Sequence, residues 1–303
     1  MSARLAITLG DPRGIGPEVV ARALTDPDVH ARCTPLIFGD ATLLARPYVA
    51  DCSEHDAALA AAAALKSGVD AVLEGRADAL VTAPLHKSAL LALDGGPYMG
   101  HTGYLAYRCQ GTPLMVFVGP GMCLALLSIH VPVGEVPHLL TEIGSHGIAR
   151  RLHIFADGLR QDLGIARPRI ALLGLNPHAG EGGLLGVEEQ RVLRPAIDEV
   201  RLLGIDVEGP LPADGYFGRV ARDGPQHDGV VACYHDQGLV GFKTLVPRLG
   251  VQMSFGLPIV RTSVAHGTAR DIAGQGRADA GSMTEALRLA IEIVDRRRLA
   301  RLQ

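Results

Sequence analysis

Short apolar runs recur along the chain, each closed by Gly, Pro or a polar cluster. The pattern predicts buried strands over residues 4–9, 35–38, 79–81, 114–118, 123–129, 169–175, 229–233 and 250–255. Between them lie stretches with a helical period or strong helix propensity. These are residues 19–24, the Ala-rich 56–66, 88–93, a long amphipathic stretch over 139–163 with apolar residues recurring at three and four, 188–203, and 283–298. Pro17 suits the first turn of its helix, where a missing N–H costs nothing, and the last helix carries its Lys and Arg towards the C-terminal end. The Gly- and Pro-rich run 209–215 reads as a rigid loop, and residues 256–263 as a lead-in to the segment that starts at His266. Strands alternating with helices throughout predict an α/β protein with a largely parallel sheet.

Composition narrows the possibilities. The chain of 303 residues is long enough for two lobes, and 48% hydrophobic with 20% charged residues is ordinary for a globular protein. Thirty-seven glycines with only 4% aromatics and no Trp suit tight strand-to-helix turns and argue against a base-stacking surface. A net charge of −3 without a long basic run makes nucleic acid and anionic membrane poor partners. The five cysteines are scattered with no Cys-x-x-Cys pair, as expected of reduced thiols in a cytoplasmic protein. Neither a signal-peptide core nor an apolar run near the ~18 residues of a membrane span is present.

Candidate chemistry gathers where strands end. His130, His178 and His235 each follow a predicted strand. Three imidazoles with open positions make a catalytic metal site, and three independent loop histidines are the alternative among twelve in the chain. The stretch Tyr234-His235-Asp236-Gln237-Gly238, followed by Lys243, reads either as a metal ligand, proton-handling carboxylate and anion-holding Lys, or as a capped turn with a solvated Lys. Arg261 and Lys243 are cations suited to an anionic substrate, and Asp214 and Asp236 are candidate acid–base groups. His101 and Thr102 sit in a loop just before a helix start, a position for a cap or for an anion contact. The segment Gly10-Asp11-Pro12-Arg13-Gly14-Ile15-Gly16-Pro17-Glu18 lacks the Gly-x-Gly-x-x-Gly spacing of a dinucleotide loop.

Read together, these segments resemble the 4-hydroxythreonine-4-phosphate dehydrogenase (PdxA) family of pyridoxal phosphate biosynthesis. The resemblance spans nearly the whole chain. It rests on Gly100-His101-Thr102, Asn176-Pro177-His178-Ala179-Gly180-Glu181-Gly182-Gly183, Gly209-Pro210-Leu211-Pro212-Ala213-Asp214, Tyr234-His235-Asp236-Gln237-Gly238, and the run from Arg261-Thr262-Ser263-Val264 to His266-Gly267-Thr268-Ala269. The resemblance implies two α/β/α lobes like those of isocitrate and isopropylmalate dehydrogenases, here 1–98 with 236–303, and 99–235, with the active site in the cleft between them. It implies a homodimer and a divalent metal, zinc first with Mg, Mn or Co as alternatives, held by His130, His178 and His235, the last donated by the neighbouring subunit. Its substrate contacts fall on His101, Thr102, Lys243 and Arg261, and on Gln252 where the family has Asn. Segments resembling the cofactor site of isopropylmalate and isocitrate dehydrogenases place NAD at Gly14, Gly16, His266, Gly267, Thr268, Ala269 and Asp271. Asp271 favours NAD over NADP, and Arg270 beside it weakens that preference, leaving NADP open.

The reaction so implied is oxidation of a secondary alcohol β to a carboxylate in a small phosphorylated hydroxy acid, with loss of CO2. Asp214, Asp236 and Lys243 are the catalytic candidates. Gln252, and a chain shorter than usual for the family, leave open phosphorylated threonate or erythronate, or a cyclic dihydrodiol carboxylate, as the substrate. A three-histidine hydrolase or aldolase would need no nicotinamide.

Overall fold

The computed structural model describes residues 2–49, 51–93, 96, 98 and 100–301. In chain order the elements begin with β1 (Ala3–Thr8), α1 (Gly16–Leu24), α2 (Pro27–Arg32), β2 (Cys33–Phe38), α3 (Glu54–Leu73), β3 (Ala79–Thr82), α4 (Lys87–Leu91) and α5 (Gly100–Cys109). Next come β4 (Leu114–Gly119), β5 (Met122–Leu126), α6 (Val136–Gln161), β6 (Arg169–Leu173), α7 (Arg194–Leu202), β7 (Asp206–Leu211), α8 (Ala213–Asp223), β8 (Gly229–Ala232) and α9 (His235–Leu245). The chain closes with β9 (Val251–Phe255), β10 (Val260–Val264) and α10 (Gly281–Ala300). The expected α/β alternation holds, and the expected strands fall within a few residues of the observed ones.

The chain divides into two compact units, Met1–Pro113 with Arg248–Gln303, and Leu114–Pro247. In the first, the strand order is β2-β1-β3-β10-β9, parallel except for the β9–β10 pair. Its α3 starts on Ser53, whose hydroxyl accepts from the Asp56 amide at 3.0 Å. Leu65, Val69 and Val72 of α3 pack into a core with Leu80, Leu90, Tyr104 and Leu105, each such buried aliphatic side chain contributing about 1.5–3 kcal/mol. In the second unit β4 and β5 form an antiparallel pair, and β5, β8, β6 and β7 follow in parallel.

Both crossings between the units fall later than the expected residues 98 and 235. Residues 100–109 belong to the first unit because Tyr104 and Leu105 complete its core. Residues 235–245 belong to the second because α9 buries Leu239 and Phe242, and the Phe242 ring lies 5.8 Å from that of Phe117 on β4.

Five local readings are corrected. The helix expected over 139–163 is broken at Gly144, whose φ of 68° and ψ of 170° lie outside the helical region. The helix expected over 188–203 starts as a π-helical turn, Glu189–Leu193. The expected loop at 209–215 is the end of β7 and the start of α8, and residues 260–264 are strand β10. His101 and Thr102 stand in the first turn of α5 and not in the loop before it. No helix among the described residues is long and apolar enough to cross a membrane.

Candidate functional site

Three neighbouring parallel strands of the second unit carry the three histidines. The order is β5-β8-β6. His130 follows the end of β5, His235 opens α9 just after β8, and His178 follows β6. Carboxyl ends of parallel strands are where α/β folds present ligand-binding side chains.

Hydrogen bonds stitch these ends together. Leu127 N–H donates to the Ala232 carbonyl at 2.9 Å, and both the backbone N–H and the hydroxyl of Ser128 donate to the Cys233 carbonyl, at 3.1 and 2.8 Å. The Gln237 amide spans the other side: its Nε2 donates to the Gly174 carbonyl at 2.6 Å and its Oε1 accepts from Cys233 N–H at 2.7 Å. Sequence reading passed over Ser128 and Gln237, although Gln237 lies inside the stretch singled out. Their role is to align strand ends, and no local spacing signals it.

The His130 and His235 rings lie 5.9 Å apart, centre to centre, in one chain. Two imidazoles on one tetrahedral ion would hold their ring centres on the order of 5 Å apart, so this pair within one chain is wider than a shared ion sets. His235 Nδ1 is 2.6 Å from Asp236 Oδ1. That contact leaves Nε2 as the ring's outward acceptor, as in metal-ligating histidines backed by a carboxylate. Asp236 is therefore engaged with a neighbouring side chain. His178 lines a cavity of about 670 Å³ together with Asp214, Phe217, Tyr234, Asp236 and Val240. Within one chain, among the described residues, no three His, Cys, Asp or Glu side chains converge as a metal-holding group. Lys243 is exposed in the last turn of α9.

His178 stands in an unusual backbone. From His178 to Gly182 every residue has positive φ, including the non-glycine residues His178, Ala179 and Glu181 at 52°, 51° and 42°. Left-handed backbone costs a non-glycine residue roughly 1–2 kcal/mol, so surrounding contacts must hold this turn.

In the first unit a polar cluster lies on one face of the sheet. Arg261 is 1% exposed. Its Nη1 donates to Gln252 Oε1 and its Nη2 to Thr82 Oγ1 at 2.8 Å, and Thr82 in turn meets Ser263 Oγ at 2.9 Å. Gln252 Nε2 donates to the Met253 carbonyl at 3.2 Å, so both ends of its amide are used inside the protein. Burial pushes the Arg261 guanidinium down to about 9. The same burial, with Arg261 nearby, holds His101 well below the ordinary imidazole range. Arg261 Nε, His101 Nε2 and Ser254 Oγ are buried without a partner among the described residues. Thr102 is buried close by in sequence, on α5. A desolvated cation with polar atoms left over could hold an anion. Thr82, Ser254 and Ser263 were not foreseen. Arg261 and Ser263 share a face of β10, an alternation masked by reading that stretch as a lead-in.

The two proposed cofactor segments meet in the same unit. Ile15 N–H donates to the Thr268 carbonyl at 2.9 Å, and a Cβ on Gly14 would stand 2.8 Å from that oxygen. Gly14 is thus required by the approach of the two loops. Gly16 faces the Leu9 carbonyl in the same way, at 2.3 Å. Ala269 has a left-handed φ of 39°, and His266 Nε2 is buried without a partner among the described residues. Asp271 and Gly267 are exposed. Arg270 is committed elsewhere: its Nε and Nη2 donate to buried Asp11 at 2.8 and 2.6 Å, and its Nη1 is 3.7 Å from Glu54.

Residues 28–290 match the family model described as "Pyridoxal phosphate biosynthetic protein PdxA". A 4-hydroxythreonine-4-phosphate dehydrogenase of Burkholderia vietnamiensis is 42% identical over 330 residues, covering 97% of this chain and 98% of that protein. The crystal structure of 4-hydroxythreonine-4-phosphate dehydrogenase from Klebsiella pneumoniae superposes with a TM-score of 0.80 at 33% identity, covering 97% of this chain and 98% of the other. Isocitrate dehydrogenase from Methylococcus capsulatus shares the fold alone, with a TM-score of 0.56 at 15% identity, covering 99% of this chain and 88% of the other.

Proposed function

As the chain belongs to the PdxA family, we propose that it is a metal- and NAD-dependent dehydrogenase that oxidises and decarboxylates 4-phosphooxy-threonine to 3-amino-2-oxopropyl phosphate. The observation that carries the reading is the arrangement of His130, His178 and His235 behind three adjacent parallel strands. Their imidazoles would hold a divalent ion, zinc by the all-nitrogen donor set. Bound there, the ion would polarise the substrate hydroxyl, and the nicotinamide would accept hydride.

The chain's own residues supply the rest. Arg261, a buried guanidinium with no carboxylate on it, takes the phosphate, aided by Ser254 and by His101, whose neutral ring donates or accepts one hydrogen bond. Gln252 sets the Arg261 fork and does not itself reach the substrate. Thr102 orients the substrate, and Lys243 adds a movable positive charge. Asp214, exposed at the start of α8, accepts the hydroxyl proton. Asp236 keeps the His235 ring in the tautomer that frees Nε2. His266–Ala269, Gly14 and Asp271 hold the nicotinamide cofactor. The engagement of Arg270 with Asp11 favours NAD, because the cation next to Asp271 in sequence is withdrawn from a 2′-phosphate. The working form is a cytoplasmic homodimer.

The direct test measures NADH absorbance with 4-phosphooxy-threonine, NAD and zinc. The wild type should turn over, and His178→Ala should lose both zinc and turnover. Turnover by zinc-free His178→Ala would refute the mechanism. Mixing His178→Ala with His235→Ala tests the expected donation of His235 across the dimer. Ligands from different subunits would restore activity in mixed dimers, and no recovery would assign both residues to one chain.

A further inference from the structure

We propose that Glu189 is the positioning residue that sets His178 for metal binding, by propping the left-handed turn from below. The inference rests on reading His178 as a metal ligand.

Glu189 is 1% exposed. Its Oε1 accepts from Asn176 N–H at 2.7 Å and its Oε2 from the Asn176 side-chain amide at 2.9 Å. Asn176 lies two residues before His178, so the carboxylate grips the point where the strand end becomes the turn. The far side of the turn rests on the same group: a Cβ on Gly180 would stand 2.6 Å from Glu189 Oε2, and one on Gly174 would stand 3.3 Å from Oε1. One buried carboxylate thus touches the backbone before and after His178.

Its neighbours work on the same segment. Glu188 Oε2 accepts from the Asn176 amide at 2.8 Å, and Gln190 Nε2 donates to the Gly182 carbonyl at 2.7 Å. In a regular α-helix three consecutive side chains cannot share a face. Here they do, in the stretch where the π-helical turn Glu189–Leu193 begins, and π-turns inside helices gather at functional sites. Holding three non-glycine residues at positive φ with an otherwise unneeded buried carboxylate is costly for a turn with no task. The negative charge beneath the turn also favours a cation at the ring it carries.

The test uses full-length Glu189→Gln, which keeps size and one acceptor but loses the charge and one of the two Asn176 bonds. Zn2+ affinity is measured by chelator competition and the ligand field by the visible spectrum of the Co2+ form, alongside circular dichroism and melting. The variant should stay folded, bind Zn2+ about 10–100-fold more weakly and show an altered Co2+ spectrum. Its KM for NAD should be unchanged. Folded Glu189→Gln with Zn2+ affinity within twofold of wild type, while His178→Ala binds weakly, would overturn the Glu189 inference alone. Unchanged affinity in His178→Ala would overturn the metal reading and this inference with it. Should Glu189→Gln fail to fold, Asn176→Ser removes the gripped amide while leaving Glu189 in place, and carries the same expectations.

Discussion

Replacing Arg261 with Met separates what this side chain does for stability from what it does for binding. Burial pushes its pKa down to about 9, so keeping it charged at neutral pH costs the folded chain on the order of 5 kcal/mol. The penalty is complete below pH 9, where folded and unfolded chains both hold the proton. Above pH 9 the folded chain has lost a proton that the unfolded chain still keeps, so stability rises with pH from there until the unfolded arginine titrates as well. Met fills a similar volume without the charge. It strands Gln252 Oε1, at a cost of about 1–3 kcal/mol, whereas Thr82 keeps Ser263 as a partner. The balance is a gain on the order of 2–4 kcal/mol for Arg261→Met, read as a melting temperature several degrees higher in phosphate-free buffer at pH 7.5. Inorganic phosphate should stabilise the wild type by mass action and leave Arg261→Met unmoved. Turnover should drop by about 100-fold or more, since the charge-assisted contact is lost. A variant that melts lower than wild type without phosphate, or that still responds to phosphate, would refute the view of Arg261 as an unpaired cation awaiting an anion.

Two other perturbations probe the same unit. His101, held well below its ordinary value by burial and by Arg261, stays neutral in the folded chain while the unfolded chain charges below pH 6.5. Stability should therefore fall on acidification through that range, by at most about 1.4 kcal/mol per pH unit from this residue. His101→Phe should flatten the slope in urea melts at pH 5–7, and an unchanged slope would count against a buried neutral ring. Asp11→Asn should weaken the hold on Arg270 and free it for a 2′-phosphate, raising kcat/KM with NADP relative to NAD by about tenfold. An unchanged cofactor ratio would remove Arg270 from the account of cofactor choice.

Local signals served the strands well, because buried parallel strands are continuous apolar runs bounded by turn residues. They failed at β10, where polar Arg261 and Ser263 interrupt the apolar run. They also failed at β7 and α8, where the Gly- and Pro-rich stretch at 209–215 looked like a loop. The break at Gly144 was hidden because apolar residues keep their helical spacing on both sides of it. The late lobe crossings were hidden for another reason: whether α5 or α9 joins one unit or the other depends on which core buries Tyr104 or Phe242.

By itself the sequence determined the α/β class, the placement of three histidines behind three strands, and the family, since these depend on apolar periodicity and on motifs of adjacent residues. Only the tertiary structure decided what each polar group is doing. Strand order makes β5, β8 and β6 neighbours, and distant contacts bind Gln237 to Gly174 and Arg270 to Asp11. Burial turns Arg261 from one arginine among many into a cation with no carboxylate partner among the described residues, and puts Glu189 beneath the turn that carries His178. Desolvation and hydrogen-bond partnership are properties of surroundings assembled from remote parts of the chain, and no local pattern encodes them.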